Sequence, residues 1–297
     1  MREGGAPLGE ARRLRYFVVL SKTLMRFPSI DMDLFIERLI KSVSEINPDL
    51  NNYTRHTGIL QSNAVARNYI RFADWLGFIK IENKIVTPSS YTILLANLGE
   101  YKDFNLTQKE KIAFFLRLID LPDVKKLLGI LRIRNSIKSS IDALGLSEHF
   151  IESYYEWFVD LGLLRPTKAK FGMFELTNLG YQIHEAVTGS KDVTTRYVEQ
   201  IIEKPVHCLE DLSDSQIWDT LEKSLHSIGK QVHSDIDPRL YAAFPLILDV
   251  QVRIIIDYQM VISIADLIKK LKDISPKYNA SFSWDNVTDL GYLKLMR

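Results

Sequence analysis

A short pattern that occurs three times constrains the fold of this chain more than any other feature. Each copy contains a leucine, a glycine, two apolar residues and a basic residue, and the copies are 76–80, 161–165 and 290–294. Glycine adopts the left-handed backbone conformation at little cost, and helices commonly end at such a residue. Each copy therefore predicts the end of a helix, a glycine stop and the start of a strand.

The residues around the first copy extend this prediction. Apolar residues at helical spacing precede Gly77, and Ser62 is placed to cap the helix that they predict. After the glycine, two short apolar runs flank the turn 82–84, where Asn83 suits a tight hairpin. Pro88 then ends the second strand. The order is helix, glycine, strand, turn and strand.

The second copy predicts the same order, and the third departs from it. A helix is expected from Ser147, followed by strands around Leu163 and Phe174 and a further helix from Thr177. The aromatic residues of the helix from Ser147 lie at helical spacing, which favours core positions for most of them. The third copy lies so close to Arg297 that we expect a partial unit, or one whose strand pairs with another segment.

This order of elements resembles the winged helix, a variant of the helix-turn-helix. The residues around the glycines are also similar to the recognition module of type IIS restriction endonucleases, in which several winged helices follow one another. The resemblance covers roughly residues 31–187. It implies a mainly α fold with small β wings, made of tandem winged-helix units and a helical C-terminal region.

The predicted boundaries follow from these patterns. We expect a flexible basic arm over 1–14, a first winged-helix unit over 15–100 and a second over 101–188. Residues 193–297 should form a helical region that ends in the partial winged-helix unit. Helical periodicity predicts the remaining helices over 31–46, 107–119, 123–131, 133–144, 217–229, 239–258 and 263–274.

Composition and charge restrict the functional classes. The apolar stretches are shorter than the roughly 18 residues that a membrane helix needs, so we expect no membrane insertion. The single cysteine, Cys208, favours a reducing, cytoplasmic location. Residues 1–171 contain 25 lysines and arginines against 19 acidic residues, whereas the remaining residues contain 13 against 18. This asymmetry favours an anion-facing first half.

The helix before the first wing carries the candidate DNA contacts. In winged helices of this type that helix enters the major groove, where arginines and amides pair with base edges and phosphates. Two lysines of the wing can add phosphate contacts. The predicted nucleic-acid-binding residues are Asn63, Arg67, Asn68, Arg71, Lys80 and Lys84. The alternative is that they form only a solvated basic face.

The corresponding helix of the second unit has the opposite charge. Helical spacing predicts an exposed row there, namely Glu148, Glu152, Ser153 and Glu156. Because acidic groups repel phosphate, the three glutamates are predicted to bind a protein partner instead, and the alternative is that this unit is purely structural. A basic run lies upstream, at Lys125, Lys126, Arg132, Arg134 and Lys138. It either clamps phosphates or forms the solvated side of core helices.

No catalytic or metal constellation is evident, so we expect no enzyme activity, no cofactor and no bound metal. Asp74 followed by Glu82-Asn83-Lys84 fits the sequence pattern of a nuclease centre. These residues, however, are predicted to lie at a helix end and in a wing turn. His207 beside Cys208 lacks the paired spacing of a zinc site. The chain also lacks a phosphate-binding loop and a nucleophile elbow.

Two functional hypotheses remain. The first is a non-enzymatic DNA-binding protein that uses its first winged helix. The second is an interaction or adaptor subunit that uses the acidic second half to scaffold a nuclease, an Argonaute-like protein or another effector supplied in trans, for example in prokaryotic antiviral defence. The second rests on fold analogy, from which function does not follow alone.

Overall fold

A computed structural model describes residues 11–46, 60, 62–98, 105–132, 134–167, 172–189, 192–203, 212–229, 240–242, 246–285 and 290–295. Over these residues the chain is mainly helical and contains three small antiparallel sheets, as the sequence predicts in outline. Within the same ranges, no helix is long and apolar enough to cross a membrane.

The elements follow one another in three groups. The first group is α1 (Arg15–Arg26), β1 (Ile30–Asp31), α2 (Met32–Ile46), α3 (Asn63–Trp75), β2 (Ile79–Glu82), β3 (Ile85–Pro88) and α4 (Ser90–Leu98). The second group is α5 (Gln108–Leu118), α6 (Pro122–Ile130), β4 (Arg134–Ser136), α7 (Ile137–Leu144), α8 (Glu148–Asp160), β5 (Leu164–Pro166), β6 (Met173–Leu176) and α9 (Asn178–Thr188). The third group is α10 (Val193–Ile202), α11 (Asp214–Gly229), β7 (Leu240–Ala242), α12 (Leu246–Tyr258), α13 (Ile264–Ile274), a 3-10 helix (Ser275–Tyr278), β8 (Ala280–Asp285) and β9 (Leu290–Leu295).

Each group contains the same strand-helix-helix-strand-strand order, and we call these segments the first, second and third units. The strand orders of the sheets are β1-β3-β2, β4-β6-β5 and β7-β9-β8. In every sheet the last strand of the unit therefore lies in the middle, between a hairpin partner and the strand that opens the unit. The first unit runs over β1, α2, α3, β2 and β3.

Two predicted helices begin later than expected because their first residues form opening strands. The helix predicted over 133–144 starts at Ile137, since Asn135 pairs with Phe174 of β6. In the range 239–258, residues 240–242 form β7 and pair with β9. Periodicity detects the helical residues, but it carries no information about a partner strand far along the chain.

The strand that contains the third pattern pairs with other segments, β7 and β8, as the second of the two expectations states, so the unit is not partial. Gly291 does not end a helix: it lies within β9, opposite Trp284 of β8. The left-handed residue after the helical segment is Asn279, with a φ of 51°. The third glycine pattern therefore belongs to the second strand of the hairpin, and the expected helix stop there is wrong.

The glycine stops of the first two units are confirmed. Gly77 and Gly162 have φ values of 75° and 79°. The next amide in each unit donates back into the helix, from Phe78 to the Ala73 carbonyl and from Leu163 to the Phe158 carbonyl, both at 2.7 Å. A residue with a Cβ is strained in this conformation, so glycine fits both positions.

Each stop is also fixed by the helix that follows the hairpin. The Ser89 hydroxyl donates to the Gly77 carbonyl at 2.7 Å, and the Thr177 hydroxyl donates to the Gly162 carbonyl at 2.6 Å. In the second unit, a Cβ on Gly180 would lie 1.9 Å from the Leu163 carbonyl oxygen. Glycine at that position therefore lets α9 approach the start of β5.

The first and second units share one hydrophobic core. Buried residues from Ala11 to Val252 form a continuous cluster that contains α3 and α8. Phe72 of α3 contacts two rings of α8, with centroid distances of 5.3 Å to Phe150 and 5.9 Å to Trp157. A second cluster lies mainly in the third unit, around Trp218 and Leu271. The helices before the first two hairpins thus pack against each other.

Residues 11–14 are packed rather than flexible, so the predicted arm over 1–14 is wrong for its last four residues. Ala11 and Leu14 are fully buried. The Ala11 amide donates to the Ser153 hydroxyl at 3.2 Å, and its carbonyl accepts from the Trp157 indole at 2.6 Å. Residues 1–10 lie outside the described part of the chain.

Candidate nucleic-acid interface

Helix α3 has one face in the core and one in solvent. The Ser62 side chain accepts a hydrogen bond from the Val65 amide at 3.3 Å, as the predicted cap requires. The buried face consists of Ala66, Tyr69, Ile70, Phe72 and Ala73. The opposite face exposes Asn63, Arg67 and Arg71, which are successive turns of the helix, while Asn68 is half-buried beside them. The predicted exposure is therefore confirmed for three of these four residues.

The two arginines of this face differ in their surroundings. Arg67 forms an ion pair with Asp33 of α2 at 3.1 Å, and the two side chains are 44% and 71% exposed. A pair this exposed is held weakly and opens readily in favour of another anion. Arg71 has no carboxylate within ion-pair distance among the residues that the structure places. Both guanidinium groups are thus accessible from solvent.

The hairpin beside α3 has a fixed geometry. Asn83 and Lys84 both have positive φ values, 49° and 66°, as the two central residues of a tight two-residue hairpin turn do. The Lys84 carbonyl accepts from the Met32 amide at 2.8 Å, and the Asp74 carboxylate accepts from the Ile81 amide at 2.9 Å. The hairpin is therefore tied to α2 and to α3.

The lysines of the hairpin are exposed. Lys80 and Lys84 point away from the core, and no carboxylate of the described residues lies within ion-pair distance of either. With Arg67 and Arg71 they give the first unit four accessible cations on α3 and its hairpin. Such groups can bind phosphate oxygens, and the arginines can also pair with guanine edges.

The residues that fit the sequence pattern of a nuclease centre belong to the end of α3 and to its hairpin. Asp74 caps the start of the hairpin through the Ile81 amide, while Glu82 and Lys84 lie at the exposed turn. Across the described ranges, no group of three or more His, Cys, Asp or Glu side chains is arranged to hold a metal ion. His207 and Cys208 lie outside those ranges.

The acidic row of α8 is not exposed as predicted. Ser153 is fully buried, and Glu152 forms an ion pair with Arg12 at 2.6 Å, with side chains that are only 13% and 11% exposed. Glu156 is half-buried and lies near the Arg13 guanidinium. Of the three predicted partner-binding residues, only Glu148 is exposed. The error arose because residues 11–14, about 140 positions away, cover this face.

The same segment neutralises the C-terminal end of α8. Arg13 pairs with Asp160 at 2.9 Å, and the Leu14 amide donates to the same carboxylate at 2.8 Å. Burial raises the pKa of the Asp160 carboxyl, and the nearby Arg13 guanidinium opposes that shift. Acidic residues at 152, 156 and 160 therefore face a segment with arginines at 12 and 13. This charge complementarity was visible in the sequence, although its geometry was not.

The aromatic residues of α8 are core residues, as their spacing predicts. Tyr154, Tyr155, Trp157 and Phe158 are all buried. Upstream, the predicted basic run is exposed at Lys125, Lys126, Arg132 and Lys138, and the side chain of Arg134 lies outside the described part. Lys126 lies 4.0 Å from Asp123, and the exposed run is compatible with both of its interpretations.

Comparison of this chain with family models, with curated proteins and with solved structures found no match to any of them.

Proposed function

We propose that this chain is a non-enzymatic protein that binds DNA, and that its first unit is a winged helix whose α3 enters the major groove. The observation that carries the proposal is the exposed face of α3, where Arg67 and Arg71 lie one turn apart beside a hairpin with two exposed lysines. The hairpin after the second helix of each unit and the three small antiparallel sheets support the proposal.

The side chains on the exposed face of α3 and its hairpin can bind the bases and phosphates of duplex DNA. Guanidinium groups form paired hydrogen bonds with guanine edges or phosphates, and the amides of Asn63 and Asn68 can pair with adenine. Lys80 and Lys84 supply point charges for the backbone. Opening of the Arg67–Asp33 pair would accompany binding, because this exposed pair is held weakly and the guanidinium group can pair with phosphate oxygens instead.

The second unit has a different role in this proposal. Its α8 is buried against α3 and residues 11–14, so it cannot enter a groove without unpacking the core. The adaptor hypothesis depended on an exposed acidic row on this helix, and that row is largely paired. DNA binding by the first unit is therefore favoured. A nuclease or effector, if one acts with this protein, would be supplied in trans.

The test is binding of a 30-bp mixed-sequence duplex, measured by fluorescence anisotropy at two salt concentrations. In Arg67→Ala/Arg71→Ala, affinity should fall by about 1–3 kcal/mol if either arginine contacts a base, and the salt slope should flatten by about one unit per lost phosphate contact. The matched control is Lys109→Ala/Arg196→Ala, which also removes two exposed cations but lies on α5 and α10. Equal weakening in both variants, or no binding by the unaltered protein, would refute the proposal.

A further inference from the structure

The third unit places α13 where the first unit places α3. Each is the second helix between the opening strand and the hairpin of a sheet with the same strand order. Both follow a serine cap, since Ser263 accepts from the Asp266 amide at 3.0 Å just as Ser62 accepts from Val65. Both are followed by a left-handed residue, Gly77 or Asn279. The two helices therefore occupy equivalent positions.

Helix α13 also has a buried and a solvent face. Leu267, Leu271 and Ile274 pack into the core of the third unit. Lys269 and Lys272 lie on the exposed side, separated by one turn. The helix before the third hairpin thus presents cations to solvent, which α8 of the second unit does not.

Two acidic groups near α13 already have side-chain partners. Asp266 accepts from the Ser263 hydroxyl at 2.6 Å at the start of the helix. Asp214 of α11 binds Lys270 at 3.2 Å and also Lys277, and those two lysines lower the pKa of its carboxyl through their hydrogen bonds. Asp273, exposed one turn after Lys269, forms no ion pair with the residues that the structure describes.

Lys269 and Lys272 are consequently left without an acidic partner. Neither has a carboxylate within ion-pair distance in the ranges that the structure covers. Exposed lysines that form no ion pair, next to lysines that do, favour the binding of an external anion. On a helix equivalent to α3, the anion that fits best is the backbone phosphate of a nucleic-acid strand.

We propose that α13 is a second DNA-contacting helix, and that Lys269 and Lys272 bind backbone phosphates of duplex DNA. This inference rests on the proposed function of the first unit. Lysine ammonium groups are point charges and the exposed face of α13 carries no arginine or amide, so its contacts do not read sequence. The first unit then discriminates among sites, and the third adds affinity at any site.

Lysine footprinting tests the inference on the unaltered protein. The full chain is acetylated under limiting reagent with and without a saturating 30-bp duplex, and modification is quantified by mass spectrometry. Lys269 and Lys272 should react several-fold more slowly with the duplex present, whereas Lys109 and Lys223, exposed on other helices, should not change. Unchanged rates at Lys269 and Lys272 would overturn the inference.

Variants provide the second measurement. Lys269→Ala/Lys272→Ala should weaken binding of the duplex about two- to tenfold at low salt and flatten the salt slope by up to about 1.8, while Lys269→Arg/Lys272→Arg should bind normally because only charge is needed. If Arg67→Ala/Arg71→Ala weakens binding but the lysine variant does not, the inference fails and the proposed function stands. The inference also fails if the unaltered protein binds no duplex. It fails likewise if Lys269 and Lys272 bind only an acidic protein.

Discussion

At the scale of single residues, the ion pair with Asp33 affects how readily the Arg67 guanidinium group can bind DNA. The pair joins α3 to the first turn of α2 across 3.1 Å, and both side chains remain largely exposed. The sequence gives no sign of this contact, because the partners are 34 positions apart. The cationic residues themselves were predictable, since helical periodicity separates the buried Tyr69 and Phe72 from the exposed Arg67 and Arg71.

Replacing Asp33 by asparagine should strengthen DNA binding. An exposed ion pair is worth about 0.2–1 kcal/mol, so its removal should tighten binding of the duplex by about 1.4- to fivefold. Anisotropy measures the effect, and the control is the same change in an Arg67→Ala background, where the gain should be smaller. An identical gain in both backgrounds would show that Asp33 acts through general charge and not through Arg67.

At the scale of elements, the helix ends show which features of the fold local sequence can predict. Gly77 and Gly162 were identified because glycine adopts a positive φ cheaply. Asn279 performs the same function in the third unit, and asparagine is the next most common residue in such caps. The glycine of the third pattern, Gly291, lies instead in β9. Only strand pairing, which is a long-range property, distinguishes the two.

Substitutions at Asn279 should separate conformation from side-chain chemistry. Its φ of 51° suits glycine and strains alanine, so Asn279→Ala should lower the free energy of unfolding by about 1 kcal/mol, while Asn279→Gly should leave it unchanged or slightly higher. Urea denaturation of both variants measures the difference. A glycine variant less stable than the alanine variant would mean that the amide side chain, and not the backbone, makes position 279 important.

At the scale of the whole molecule, the first two units are joined by residues 11–14. These residues lie before the first unit in sequence, yet their backbone and arginines bond mainly to α8 of the second unit. They also contact the first unit, where the Tyr69 hydroxyl accepts from the Arg13 amide at 2.8 Å. The predicted order of helix, glycine, strand, turn and strand is present in both units, but neither their opening strands nor their shared core could be anticipated from either pattern alone.

Loss of the Asp160 carboxylate should therefore destabilise both units. Asp160→Ala leaves the Arg13 guanidinium and the Leu14 amide without their acceptor, which should cost about 2–3 kcal/mol in the free energy of unfolding. The control is Glu175→Ala, which breaks the more exposed pair with Arg165 and should cost less than about 1 kcal/mol. Urea denaturation followed by tryptophan fluorescence compares them. Equal losses would contradict a joining role for residues 11–14.

The attachment of residues 11–14 to α8 also has a consequence for synthesis of the chain. The contacts of Ala11, Arg12 and Arg13 with α8 span 140 to 147 positions. At about 5–20 residues per second, a ribosome completes the partner helix roughly 7 to 30 seconds after it has made the arginines. During that interval Arg12 and Arg13 have no acidic partner on α8, and Phe72 lacks its contacts with the Phe150 and Trp157 rings. The first unit therefore completes its folding only after the second has been translated.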